Sequence, residues 1–153
     1  MQLYVMRHGD ALMQAPTDAQ RPLSDRGRQQ VNGMVDHLLP VLPTCVIASP
    51  YVRAQQTANL ICDGLGLSSH QLQQADYITP DSDPFRVLRE LEPYSREVLL
   101  MVSHQPLVGT LLSLLLDGVL VGDYMMGTAS LACLQLENIG AGQAQLQWLR
   151  HAV

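Results

Sequence analysis

The sequence predicts an α/β fold: a three-layer sandwich with a mostly parallel central sheet, helices on both faces and a C-terminal hairpin. Three observations point there. Strand-like and helix-like stretches alternate along most of the chain, the arrangement that right-handed βαβ crossovers require. "EVLLMVS" at 97–103 is a nearly continuous apolar run, suited to a strand covered on both faces. At 153 residues, with 47% hydrophobic and 15% charged residues, the chain is long and apolar enough to bury one sizeable core. Residues 1–153 therefore read as one domain, without repeat, low-complexity tract or linker.

Element by element, "QLYVM" at 2–6 is a short buried strand, and a polar loop with Pro16 and Pro22 follows. Ser24 is placed to cap a helix over about 25–39, with Val31, Met34, Val35, Leu38 and Leu39 on its apolar face and Pro40 as its stop. "CVIA" at 45–48 is a second strand. "YVRAQQTANLICDGLGL" is a helix with Gly64 and Gly66 as exit signals. A short strand is expected around 75–78, then a turn-rich "TPDSDP" loop and a small amphipathic helix at 84–92. After the strand at 97–103 a helix covers about 106–117, its first turn holding Pro106, where a missing N–H costs nothing. "SLACLQL" and "QAQLQWL" flank "ENIGAG" as a hairpin.

Composition removes several function classes. A net charge of −5 with no basic cluster argues against a nucleic-acid partner. The longest apolar block, "LLSLLL" at 111–116, falls far short of the roughly 18 residues of a membrane span, and no basic, apolar leader opens the chain. Cys45, Cys62 and Cys133 are odd in number and lack CxxC spacing, which fits reduced thiols in a cytoplasmic protein. All nine basic residues are Arg, whose flat donor fork suits carboxylate or phosphate. "LLSLLLDGVLVG" is apolar enough for a dimer patch but reads the same way as a helix packed in the core, which is the favoured reading, so the chain is expected to be a monomer.

In open α/β sheets, ligands gather beyond the carboxyl ends of the strands. The first strand here runs into Arg7-His8-Gly9. The second ends at Ser49-Pro50, with Arg53 on the first turn of the next helix, and the strand at 97–103 runs into His104. Two guanidiniums and two imidazoles at one edge repel unless an anion joins them. A tetrahedral oxyanion such as phosphate fits, and Gly9, lacking a Cβ, lets the backbone approach it.

"RHGDA" at 7–11, "SPYVRAQQTA" at 49–58 and "VSHQPLVG" at 102–109 resemble the histidine phosphatase (phosphoglycerate mutase-like) superfamily. "RPLSDRG" at 21–27 and "ITPDSD" at 78–83 look closest to its SixA-type phosphohistidine phosphatase branch, and the resemblance spans about residues 1–136. It implies that His8 is the nucleophile that becomes phosphohistidine and that Arg7 and Arg53 clamp the phosphoryl oxygens. His104 is then the second histidine, steadying the charge of the transition state, and Arg21 stands near the pocket mouth. Gly9 belongs with the substrate-binding set. A nucleophilic imidazole has to be neutral, and neighbouring cations keep it so. Arg forks stabilise the transferring group without metal, and the sequence offers no carboxylate cluster at metal-ligand spacing, so neither metal nor cofactor is expected.

Larger members of that superfamily supply an acid, often a Glu in the loop after the third strand, for an alcohol leaving group. Here the loop is "DYITPDSDPF". Asp81 and Asp83 read first as a helix cap and a turn, second as such an acid. Phosphohistidine needs little acid, because imidazole leaves with a conjugate-acid pKa near 6.5, roughly nine units below water. The expected substrate is therefore a phosphohistidine-bearing partner, a phosphotransfer domain or phosphotransferase carrier. Alternatives are a small-molecule phosphomonoesterase and a non-catalytic phosphate-binding adaptor. Asp10 is expected to partner an arginine, Thr57 to hold Arg53, and Thr128 and Ser130 either to line the pocket or to bond along the strand edge. His37, His70 and His151 are read as surface residues.

Overall fold

The structure, a computed structural model, describes residues 1–122 and 124–153. Six strands form one mixed sheet: β1 (Gln2–Arg7), β2 (Cys45–Ala48), β3 (Leu72–Gln74), β4 (Val98–Ser103), β5 (Leu131–Leu136) and β6 (Ala144–Arg150). Their order is β3-β2-β4-β1-β5-β6. The first four run parallel; β5 pairs antiparallel with β1, and β6 with β5. Strand β4 sits mid-sheet, as its unbroken apolar run demands.

Alternate strand residues point to opposite faces, so the pleat sorts the core into two layers. Tyr4, Met6, Val46, Ala48, Leu100 and Val102 face helices α1 (Asp25–Met34) and α2 (Val52–Leu65) through Val31, Met34, Ala54, Ala58 and Ile61. Leu3, Val5, Ile47, Leu99 and Met101 face α3 (Pro84–Glu90) and α4 (Leu107–Asp117) through Val87, Leu107, Leu111 and Leu115. The sandwich is three-layered, with helices on both faces.

Three expectations change. The helix expected over 25–39 is α-helical only to Met34 and then tightens into a 3-10 turn, Val35–Leu38. Three residues per turn align Val35 with Leu38, which is fully buried, and rotate Leu39 outward to 52% exposure. The third strand lies at Leu72–Gln74 rather than 75–78, pairing with Val46–Ala48. It is an edge strand, held by backbone bonds more than by burial, so its polar "LQQ" gave no periodic signal. Ala75 and Ile78, the apolar residues that suggested a strand, are buried as loop residues instead. Finally, Gly66 alone ends α2, in the left-handed region at φ 70°. Gly64 lies within the helix, where a Cβ would come 2.9 Å from Val35 Cγ2.

Candidate active site

Strand register sets the site. Arg7 is opposite Ser103 and Ala48 opposite Val102, so β2, β4 and β1 end level with one another, and His8, Ser49 and His104 leave the sheet side by side. The His8 N–H donates to the Ser103 carbonyl at 3.0 Å. The His8 and His104 rings lie 5.1 Å apart, and Arg53 Nε donates to His8 Nε2 at 3.3 Å. Arg7, His8, Arg53 and His104 are thus brought together, as the strand-end argument expects.

His8 is buried, and its Nδ1 is 2.7 Å from the Gly9 carbonyl. A carbonyl only accepts, so Nδ1 carries the proton and Nε2 presents its lone pair. Burial first, then Arg53, Arg7 and Arg21, push the His8 pKa down to about 4 against the opposing Gly9 hydrogen bond. The ring is neutral at pH 7, with the lone pair on the nitrogen beside the guanidinium.

Gly9 has a different reason from the open approach that the sequence suggests. A Cβ there would sit 2.8 Å from the Gly27 carbonyl oxygen and 2.9 Å from Val31 Cγ2, so helix α1 demands the glycine. Its N–H donates to Thr57 Oγ1 at 3.1 Å, and Thr57 Oγ1 donates to the Arg53 carbonyl at 2.8 Å. Thr57 therefore ties the His8 loop to the backbone of α2, rather than holding the Arg53 guanidinium. Asp10 likewise partners no arginine by hydrogen bond; its Oδ2 accepts from Ser24 Oγ at 2.6 Å and steadies the cap of α1.

His104 is almost fully buried, and its Nε2 is 2.7 Å from Ser49 Oγ. Burial, then His8 and Arg53, push its pKa down to about 3, so it too is neutral. The Tyr51 ring meets it edge-on at 4.8 Å and lies 5.1 Å from the Arg53 guanidinium carbon. Among the described residues, three buried side-chain polar atoms have no partner: Arg7 Nε, His104 Nδ1 and Ser113 Oγ. Buried polar groups are seldom left so. Two of the three belong to residues adjoining His8.

The segment before β5 fixes the other side. The Met126 carbonyl accepts from Arg7 Nη1 at 3.0 Å, the Ser130 carbonyl accepts from the Arg7 N–H at 3.1 Å, and the Ala129 N–H donates to the His8 carbonyl at 2.9 Å. Ala129 achieves this at φ 59°, a conformation that costs a residue with a Cβ free energy. The Ser130 hydroxyl turns to His151 Nδ1 at 2.9 Å. Thr128 is half-buried beside this segment, and His37, His70 and His151 are exposed.

Arg21 stands at the rim. Its Nε donates to the Leu12 carbonyl at 2.8 Å and its Nη1 to Asp18 Oδ1 at 3.0 Å. Asp18 also reaches Arg53: its carbonyl accepts from Nη1 at 2.6 Å and its Oδ2 from Nη2 at 3.2 Å. Asp18, Ser49 and Tyr51 are contacts that the sequence reading did not single out. "SPYVR" holds two of them within four positions of Arg53, a local signal; Asp18, in a polar loop, offered none. Asp83 caps α3, accepting from the Phe85 N–H at 2.9 Å, and Asp81 is exposed. Among the described residues no group of three or more His, Cys, Asp or Glu is arranged to hold a metal ion.

A mixed-sheet α/β sandwich that gathers two neutral histidines and two arginines beyond its parallel strand ends sets imidazole nitrogens beside guanidiniums, an arrangement that suits a phosphoryl group. The chain belongs to the histidine phosphatase superfamily: residues 3–76 match its branch 1. It is 34% identical over 147 residues to phosphohistidine phosphatase SixA of Escherichia coli (strain K12), covering 93% of this chain and 89% of that protein. A SixA homolog from Haemophilus influenzae is 33% identical over 124 residues, 74% of this chain and 76% of the homolog. The structure of the protein histidine phosphatase SixA complexed with tungstate superposes with a TM-score of 0.89 at 31% identity, covering 99% of this chain and 97% of that one.

Proposed function

We propose that residues 1–153 form one histidine phosphatase domain that removes the phosphoryl group from phosphohistidine on a partner protein, through a covalent intermediate on His8. The observation that carries the site assignment is the pair of unpartnered buried nitrogens, Arg7 Nε and His104 Nδ1, beside a histidine whose Nε2 holds its lone pair; with Ser49 Oγ donating to His104 Nε2, both are donors. A phosphoryl group seated on His8 Nε2 supplies the acceptors both donors lack.

In the first step His8 Nε2 attacks phosphorus, and the P–N bond to the substrate imidazole, protonated on its other nitrogen, breaks with the electron pair passing to the ring, which leaves as neutral imidazole. Arg7 and Arg53 meet the charge on the equatorial oxygens, and His104, with Ser49 donating to its Nε2, donates from Nδ1. In the second step water attacks phosphorus, the P–N bond to His8 breaks, and phosphate leaves with His8 neutral again. The Nδ1–H···O=C bond to Gly9 holds the ring in one tautomer throughout.

Phosphohistidine is favoured over a phosphomonoester by the relatives and by the loop after β3, where Asp83 is engaged as a helix cap. A protein partner fits the rim, where Met13 and Met125 are 80% and 81% exposed. Met13 Sδ lies 3.3 Å from Arg21, and Met125 precedes the residue that holds Arg7. We place the enzyme in the cytoplasm, acting as a monomer on a phosphotransfer domain or phosphotransferase carrier.

The test compares a phosphohistidine-labelled carrier, p-nitrophenyl phosphate and a sugar phosphate, with chelator present, for wild type, His8→Ala, Asp81→Asn and Asp83→Asn. Preference for the carrier, 32P trapped on wild type but not on His8→Ala, and turnover retained in both Asp variants are expected. Preference for the sugar phosphate, with large loss in either Asp variant, would establish the ester reading instead.

A further inference from the structure

Asp18 alone presents three oxygens to the rim arginines. Its Oδ1 faces Arg21 Nη1 at 3.0 Å, its Oδ2 faces Arg53 Nη2 at 3.2 Å, and its carbonyl oxygen faces Arg53 Nη1 at 2.6 Å. The carboxylate carries the same charge sign and fork-matching shape as an oxyanion. We propose that Asp18 is a tethered competitor for the phosphoryl site: it occupies Arg53 and Arg21 between turnovers and speeds the exit of product phosphate by returning to them. The proposal rests on reading those arginines as a phosphoryl clamp.

The local structure suits a contact that must both form and yield. Asp18 opens a three-residue 3-10 turn, Asp18–Gln20, in which no residue is buried. Few packing contacts make such a segment inexpensive to move. Arg53 is the opposite, 5% exposed in its side chain against 58% for Asp18, so the cation is packed in the interior while the anion stands in solvent. Exchange with solvent keeps the ion pairs modest. A phosphoryl group, bearing more charge and also meeting Arg7 Nε and His104 Nδ1, displaces the carboxylate. Inorganic phosphate, once free of His8, must then leave a clamp of arginines. A carboxylate held within a few ångströms acts at high effective concentration and lowers the occupancy of that product. Arg7 has a neutral partner instead, the Met126 carbonyl, so the competition falls on Arg53 and Arg21.

A simple ion pair that positions Arg53 would look the same in the structure but responds to mutation with the opposite sign. Asp18→Asn keeps the side-chain shape, one acceptor oxygen and the backbone bond while removing the charge. Binding of inorganic phosphate to the full chain is measured by calorimetry for wild type, Asp18→Asn, Asp18→Ala and Arg53→Ala, with product inhibition by phosphate measured during carrier turnover. Competition predicts phosphate bound about tenfold more tightly in Asp18→Asn, with the inhibition constant falling in step and Asp18→Ala following the same direction. In wild type, the Asp18 amide resonance is expected to shift with the same midpoint as phosphate binding. Unchanged or weaker phosphate binding in both Asp18 variants would overturn the proposal and make Asp18 a positioning residue. Undiminished binding in Arg53→Ala would instead remove the clamp reading, and this proposal with it. The calorimetric arms need no phosphohistidine specificity, so a wrong substrate assignment leaves the binding result intact.

Discussion

If His8 is held neutral by burial and by three guanidiniums, acid should leave the nucleophile untouched well below the range where a histidine ordinarily titrates. With its pKa pushed down to about 4, His8 is about 1% protonated at pH 6, whereas a histidine at 6.5 is about 76% protonated. The rate of 32P transfer to His8 from a phosphoramidate should therefore show no midpoint near pH 6.5 that belongs to this ring. Ring-nitrogen NMR of the resting enzyme should show the Nδ1–H tautomer persisting to about pH 5. Stability carries the same signature. The unfolded chain takes up the His8 proton first as pH falls below about 6.5, while the folded chain resists until about 4. Folding free energy is thus fully present above 6.5 and lost across that window, on the order of 3 kcal/mol from His8 alone. Urea denaturation from pH 8 to 4 measures the slope, and His8→Gln should remove its share. A ring titrating at 6.5, or a slope unchanged in His8→Gln, would refute the argument that burial and the arginines set its charge state.

Two further outcomes follow from the packing. Arg53→Ala should lower turnover by about 10²–10³ while cooperative unfolding persists, and Arg53→Lys should not restore it, because one ammonium cannot replace a fork reaching His8 and Asp18 together. Loss of cooperative unfolding would make Arg53 structural. Gly9→Ala should cost about 1–3 kcal/mol in denaturant titrations and depress activity, since the added Cβ meets a backbone oxygen at 2.8 Å. Adding Val31→Ala should recover only part, because the Gly27 carbonyl stays in place; full recovery would show that the side chain was the obstacle.

Much of this site was legible because its residues occupy positions fixed by chain periodicity. His8 and His104 each follow directly on a strand, and Arg53 lies one turn into a helix. Once the strands are recognised as parallel, their carboxyl ends have to meet. The cap at Ser24 and the stop at Gly66 were legible for a similar reason, since each acts within a few residues. The edge strand β3 was not, because an edge strand is specified by its neighbour's backbone more than by its own side chains.

By itself the sequence determined the α/β class, the layer arrangement, and the gathering of Arg7, His8, Arg53 and His104 at one sheet edge. Only the tertiary structure decided that Gly9 is required by α1, that Thr57 anchors the His8 loop, that Ser130 turns to His151, and that Asp18 bridges Arg21 and Arg53. The division has a physical cause. Hydrophobic period and capping chemistry are properties of neighbours along the chain. Which carboxylate answers which guanidinium, 35 residues away in the case of Asp18 and Arg53, depends on how loops fall after the sheet has closed.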